Sequence, residues 1–389
     1  RKAAMMMMSK RRPWVLLLFL VGGRCLVVAP RLAVRRTVRR GTESSAEAEG
    51  ENPAPEENFR SGFVAVVGSP NVGKSTLVNA FVGQKLCIAT SKAQTTRHSI
   101  LALAAGDGYQ MALTDTPGVL SDPAYPLQKQ MVVAARRACR DAEVVLFVTD
   151  IFEAEDAAAN IRRWVGDLGG EDDEDGVPLV VAVNKVDLIR DTDDDGAPLL
   201  GEAAMALVGS EELALQRARE AAPDARAVVP VSALRGNDGG VESLKKLLVS
   251  LLPASPPVYP PDENDDDGDD GPLTNRPARF FAAEIVREAI LTHYSKEIPY
   301  SCEVRIDRFR ENLLPDILEI HATILVARDS QKAIVIGAKG NAIKDTGIAA
   351  REALEDFFQV NKVRLYLRCK VRKNWRSDES ALRQFGYID

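Results

Sequence analysis

Short, continuous apolar runs recur through residues 59–253, separated by glycine-rich or charged stretches. Phe63–Val67, Tyr109–Thr114, Leu179–Val183 and Val228–Val231 are apolar at nearly every position rather than at alternate ones. That is the pattern of strands buried on both faces of a parallel sheet. Helix-like stretches lie between them, which predicts a doubly wound α/β layer structure. Pro253, Pro256, Pro257, Pro260 and Pro261 then break the pattern. From Arg279 onward the order is different: a helix over Phe281–His293, strands over Glu303–Asp307 and Ile317–Val326, and a helix reaching Ile336. A glycine-flanked turn, an amphipathic helix through Phe358 and a strand over Val363–Leu367 follow.

The turn after the first strand reads Gly68-Ser69-Pro70-Asn71-Val72-Gly73-Lys74-Ser75. Strand, glycine turn and helix is the context of a phosphate-binding loop, in which successive backbone N–H groups surround a β-phosphate at a helix N-terminus. Lys74 is the candidate for the β/γ oxygens and Ser75 for Mg²⁺, with Val72 and Thr76 completing the phosphate set. Asp115-Thr116-Pro117-Gly118 ends a strand, so that Asp115 can hold the ion and Gly118 can donate to a γ-phosphate. Either Thr95 or Thr96 can close over the ion from the other side.

Asn184-Lys185-Val186-Asp187 follows another buried strand. The Asp187 carboxylate can accept the N1 and 2-amino hydrogens of guanine, which adenine lacks, and a buried carboxylate left unpaired by the wrong base is costly. Ser232-Ala233-Leu234 can add a backbone N–H toward guanine O6. In series, these segments imply GTP/GDP as the bound nucleotide.

Charge is uneven along the chain. Its 389 residues carry a formal net charge of −6. Residues 1–40 hold eleven basic residues and no acidic one, and without them 39 basic residues face 56 acidic ones. The acidic excess sits in runs at 171–175, 193–195 and 262–270, read as solvated insertions. Five cysteines lack CxxC spacing, which supports neither a zinc site nor a disulfide framework. Lys10-Arg11-Arg12 precedes the apolar run 14–21, shorter than a membrane span, and an arginine-rich stretch follows. This bipartite shape predicts a plastid presequence over residues 1–58 including a polar linker, with a mitochondrial one as the alternative.

The glycine turn is Gly337-Ala338-Lys339-Gly340, a GxxG loop between two helices, and the order of elements is that of a type II KH domain. Gly337, Ala338, Lys339 and Gly340 are candidates for contact with an RNA backbone, with Lys344, Arg372 and Lys373 beside them. Residues 362–389 carry eight basic and three acidic residues.

Across residues 59–389 the chain resembles the Era GTPases. The resemblance rests on residues 68–75, on Lys92-Ala93-Gln94-Thr95-Thr96-Arg97-His98, on Ile334–Gly340 and on the ending Val371–Tyr387. It implies a P-loop G domain over 59–253, a Pro-rich acidic linker over 254–278 and an RNA-binding KH domain over 279–389. It also implies binding near the 3′ end of small-subunit rRNA and a role in small ribosomal subunit assembly. The expected protein is a monomer that binds no DNA and makes at most peripheral membrane contact.

Ras-like GTPases place a water-orienting Gln directly after the Asp-x-x-Gly element, where this chain has Val119. Slow intrinsic hydrolysis follows. Lys74, Thr95, Thr96 and Gly118 are left as the catalytic candidates, together with Asn71, the residue type that potassium-activated GTPases use to hold K⁺ beside the phosphates. Two other readings are a membrane-associated GTPase, from the run 14–21, and an RNA-binding protein that uses GTP as a structural ligand, from Val119.

Overall fold

In a computed structural model, the structure describes residues 59–388 except 93, 119–122, 154–175, 193–198, 260–272 and 312–316. The presequence, the three acidic runs and Val119 lie outside the described residues. Four of the cysteines, Cys87, Cys139, Cys302 and Cys369, are free thiols.

The first sheet contains β1 (Arg60–Val67), β2 (Ile100–Gly106), β3 (Tyr109–Asp115), β4 (Val144–Asp150), β5 (Leu179–Asn184) and β6 (Ala227–Pro230) in the order β2-β3-β1-β4-β5-β6. All neighbours are parallel except β2 and β3. That pair departs from the strand–helix alternation because Asp107-Gly108 closes it as a two-residue hairpin, with Gly108 at φ 74°. Helices α1 (Lys74–Val82), α2 (Pro126–Arg140), α3 (Glu211–Ala221) and α4 (Val241–Leu251) accompany the sheet. Val64, Val66, Leu77, Leu113, Leu146 and Leu244 are fully buried in one of its clusters.

The second half opens with α5 (Ala278–His293), followed by the antiparallel pair β7 (Cys302–Arg310) and β8 (Ile317–Val326). Then come α6 (Asp329–Ile336), α7 (Asn341–Phe357) and β9 (Lys362–Val371), which pairs parallel with β8, and a last short helix α8 (Glu379–Gln384). This is a KH domain. The helix α5 begins three residues before the apolar stretch read from sequence, directly after Pro277, whose fixed φ suits the N-cap. β7 continues past Asp307 to Arg310 because a bulge between Ile306 and Arg308 returns Phe309 to the core face.

The connection is anchored at both described ends. Gln110 exchanges hydrogen bonds of 2.7 and 2.8 Å with the Tyr259 backbone, and Leu103 N–H donates to Leu273 O at 2.9 Å. Hydrophobic contacts bridge the halves as well. Phe281 of α5 is buried in the cluster under the first sheet, and Leu127 and Met131 of α2 pack with Trp375, Ala381 and Leu382.

Candidate nucleotide site and RNA face

Four of the nucleotide motifs leave the carboxyl end of a strand of the first sheet, and Thr95-Thr96 reaches the same end by preceding β2, whose Ile100 pairs with Asp115. Gly68 follows β1, Asp115 ends β3, Asn184 ends β5, and Ser232 follows β6. Since β1 lies between β3 and β4, chain connections run away from it in both directions, and ligands bind at such switch points. A cleft of about 510 Å³ opens there, lined by Asn71, Lys74, Ser75, Thr96, Gly118 and Asp187 among others. Gly68 and Gly73 have φ of 150° and 97°, and a Cβ would stand 2.0 Å from Val148 O at the first and 2.2 Å from Asn184 Nδ2 at the second. Neither position accepts a side chain. Gly118 packs against the phosphate loop, where a Cβ would come within 2.7 Å of Pro70 Cα.

Lys74 is buried, its ammonium donating to Gly68 O at 3.0 Å and Ser69 O at 2.8 Å. Burial pushes its pKa down to about 8, against the opposing pull of Asp115. Ser75 Oγ donates to Asp115 Oδ2 at 2.7 Å and lies 2.8 Å from Thr96 Oγ1, itself 3.3 Å from the same carboxylate oxygen. Thr95 turns away: its hydroxyl meets Thr90 Oγ1 at 2.8 Å and Lys92 O at 2.6 Å. Of the pair left open by the sequence, only Thr96 joins Ser75 and Asp115.

Asp115 is fully buried, and its Oδ1 has no hydrogen-bond partner among the described residues. Burial raises its pKa, with Ser75 and Lys74 partly offsetting this. An orphaned buried carboxylate oxygen beside two hydroxyls is an all-oxygen set that fits a hard cation such as Mg²⁺, which takes few protein ligands and completes its shell from phosphate and water.

On the base side, Asn184 is a brace. Its Nδ2 donates to Val72 O at 2.8 Å and its Oδ1 accepts from Ala233 N–H at 2.9 Å, so one amide links the phosphate loop to the 232–234 segment. Asp187 is buried in the first turn of a short helix, Asp187–Arg190. The Lys185 ammonium reaches Asp150 at 2.5 Å, and Leu234 is exposed. Asn71 adopts φ 66° and donates from Nδ2 to Ser91 O at 3.2 Å.

The loop carrying Thr95 and Thr96 is also held by the KH domain. Lys92 donates to Leu291 O and Tyr294 O at the C-terminal end of α5, where the helix dipole favours a cation. Arg97 is buried, donating to Cys302 O at 2.8 Å, Pro299 O at 3.0 Å and Glu303 Oε2 at 3.2 Å. Tyr387 OH donates to the same Glu303 oxygen at 2.7 Å, and the His98 ring stacks on Tyr387 at 4.1 Å. Burial pushes the His98 pKa down to about 3, so the ring is neutral near neutral pH.

The GxxG loop joins α6 to α7. Gly337 and Gly340 have φ of 72° and 79°, and Lys339 between them is itself left-handed at φ 54°. Ala338, Lys339 and Lys344 are exposed. Tyr294 OH supports the loop from below, donating to Val335 O at 2.7 Å and accepting from Thr346 Oγ1 at 3.0 Å. Lys373 is exposed, whereas Arg372 is engaged with the C-terminal segment, donating to Gln384 Oε1 at 2.5 Å and lying over the Phe385 ring.

A 50S ribosome-binding GTPase profile matches residues 63–185, and a KH domain profile matches residues 297–376. A chloroplastic GTPase ERA-like protein of Arabidopsis thaliana is 38% identical over 335 residues, covering 86% of this chain and 70% of the relative. GTPase Era of Ectopseudomonas mendocina is 38% identical over 330 residues, covering 85% of this chain and 98% of that one. The chain belongs to the Era GTPase family. Its fold agrees with an Aquifex aeolicus Era variant bound to GDP and AlF₄⁻, at a TM-score of 0.71 and 31% identity over 85% of this chain and 100% of the other. It agrees equally with Era in complex with MgGDPNP and nucleotides 1506–1542 of 16S ribosomal RNA, at a TM-score of 0.69 and 32% identity over the same shares.

Some residues take roles in this Era architecture that the sequence motifs did not assign. Lys92, Arg97 and His98 bind the KH domain rather than nucleotide, and their conversion into interdomain contacts has no local sequence signal. Ile334 of α6 and Ile348 of α7, on the helices joined by GxxG, are exposed apolar residues. Their lapse from amphipathic pattern was the available signal.

Proposed function

We propose that this GTPase assists assembly of the small ribosomal subunit in a plastid, binding the 3′ region of small-subunit rRNA through its KH domain under the control of bound nucleotide. One observation carries the coupling: adjacent residues serve the two halves, Thr96 beside Ser75 and Asp115, and Arg97 inside the KH domain. The rRNA reading is supported by the relative crystallised with nucleotides 1506–1542 of 16S ribosomal RNA, and the plastid reading by the chloroplastic relatives. Among the described residues no helix is long and apolar enough to cross a membrane.

In this reading the phosphate-loop N–H groups and Lys74 bind the β/γ-phosphates, Asp187 selects guanine, and Ser75, Thr96 and Asp115 hold Mg²⁺. Bound Mg²⁺ supplies positive charge to the phosphate oxygens as charge shifts in the transition state. Asn71 would be the ligand for K⁺ through its Oδ1. Gly118 donates its N–H to the γ-phosphate, and hydrolysis releases it together with Thr96, loosening the anchorage of Arg97 and Lys92.

The test is RNA affinity of the full chain, measured by anisotropy with GDP and with a GTP analogue. A ratio of about 5 to 150 between the two states is expected for a coupled switch. Equal affinities would remove the coupling. Ala338→Asp with Lys339→Asp should weaken binding in both states while circular dichroism stays unchanged.

A further inference from the structure

The KH sheet has a second face. Leu318, Ile320, Ala322 and Ile324 of β8, with Val363 of β9, point into the core under α5 and α7. Alternation places Lys362, Arg364, Tyr366, Arg368 and Lys370 on the opposite side, all exposed and all but one cationic. Arg364 and Arg368 have no ion-pair or hydrogen-bond partner among the described residues. On β7, Arg308 and Arg310 are exposed across the same face, in register with His321 and Glu319 of β8. At its centre, His321 pairs with Tyr366 and the rings stack at 4.5 Å, leaving Tyr366 49% exposed.

We propose that this outer face of the β7-β8-β9 sheet is a second RNA-binding surface, on which a single strand lays its phosphates along the β9 cations and stacks a base on Tyr366. This rests on the reading that the KH domain binds RNA. Charge complementarity selects the occupant. The chain as a whole is acidic, at −6, yet among the described residues of these strands the acids accessible on this face are Asp307, paired with Arg305, and Glu319, paired with His321 and 3.8 Å from Arg308, while Glu303 on the same side of β7 is buried against Arg97. Successive exposed side chains stand about 6.6 Å apart along a parallel strand, with a pair of cations on each side of Tyr366, a spacing that lets an extended strand meet several in turn. An exposed aromatic ring amid cations is how sheets bind single strands, the base stacking while the backbone is neutralised. An anionic lipid surface would use the charges but gives the stacked ring pair no task.

The test uses the full chain, with circular dichroism as a folding control and two labelled RNAs. One is a strand of about four nucleotides, the span of a GxxG cleft; the other is a longer single strand of mixed sequence. Arg364→Glu with Arg368→Glu should weaken the longer RNA at least about tenfold and flatten its log–log salt dependence by about 1.4, near 0.7 per cation removed. The milder pair Arg364→Gln and Arg368→Gln should act in the same direction. Tyr366→Ala should cost about fivefold or more, and Tyr366→Phe should restore binding. The short RNA should be unaffected by all four. If Ala338→Asp with Lys339→Asp weakens the longer RNA but the β9 variants do not, the second surface is wrong while the GxxG reading stands. If the unsubstituted chain binds neither RNA, the underlying reading fails with it. Loss of binding to phosphatidylserine vesicles with unchanged RNA affinity would reassign the face to membrane and overturn the proposal.

Discussion

Arg97 and Glu303, 206 residues apart, form an ion pair of 3.2 Å with both side chains almost fully buried. The first follows Thr96, which lies against Ser75 and Asp115, and the second is the second residue of β7 in the KH sheet. Arg97→Ala leaves Glu303 a buried charge without its cation, held by the Tyr387 OH and the Val304 N–H, and takes a donor from the Cys302 and Pro299 carbonyls. A loss of about 3–5 kcal/mol is expected in denaturant unfolding. Arg97→Ala with Glu303→Gln should recover part of it, and in both variants the difference in RNA affinity between GDP and GTP-analogue states should shrink.

Thr96→Ala should weaken Mg²⁺-dependent binding of a GTP analogue while leaving GDP binding largely intact. Thr95→Ala should spare the Mg²⁺ dependence, since that hydroxyl only ties the loop to Thr90 and Lys92. Magnesium titrations monitored by a fluorescent nucleotide compare the two, and equal loss in both would undo the assignment of Thr96.

Base choice should depend on Asp187. Asp187→Asn reverses one hydrogen-bond direction, so GTP affinity should fall by about 100-fold or more while xanthosine triphosphate gains. Competition between the two nucleotides reads this directly.

Nucleotide affinity should be pH-limited on both sides. Lys74, near 8 in the free protein, is neutral above that value and must regain a proton to meet phosphate, so affinity should fall up to tenfold per pH unit above about 8. Asp115 is raised and must lose its proton to hold Mg²⁺, so the acid limb should lie above the ordinary aspartate range. Calorimetry at pH 9 in buffers of different ionisation enthalpy should detect the proton taken up at Lys74, and no uptake would contradict this.

Potassium should accelerate hydrolysis more than sodium, and Asn71→Ala should abolish the difference. Matching rates in the two salts for the unsubstituted chain would exclude the cation role of Asn71.

The strands of the G domain and the order of KH elements were readable because buried parallel strands are apolar without alternation and because glycines mark the phosphate and GxxG loops. The β2–β3 hairpin was hidden because Ile100–Gly106 carries no charged alternation that separates it from a helix. The choice between Thr95 and Thr96 depended on which hydroxyl the loop turns inward, a property of backbone path. Lys92, Arg97 and Tyr387 were opaque for a stronger reason: the partners of Lys92 and Arg97 lie about two hundred residues away, Glu303 lies 84 residues before Tyr387, and Tyr387 meets His98 only once both domains are folded.

The strand β2 would otherwise end the first sheet with open N–H and C=O groups. Leu273 O takes the Leu103 N–H, and Tyr259 packs over Leu101 and Leu103, so the described ends of the connecting segment close that margin. Uncovered edges recruit strands from other copies and seed aggregation. The stretch that separates the two domains in sequence thus also keeps the sheet from growing beyond its own molecule, and weakening it should show first as loss of solubility.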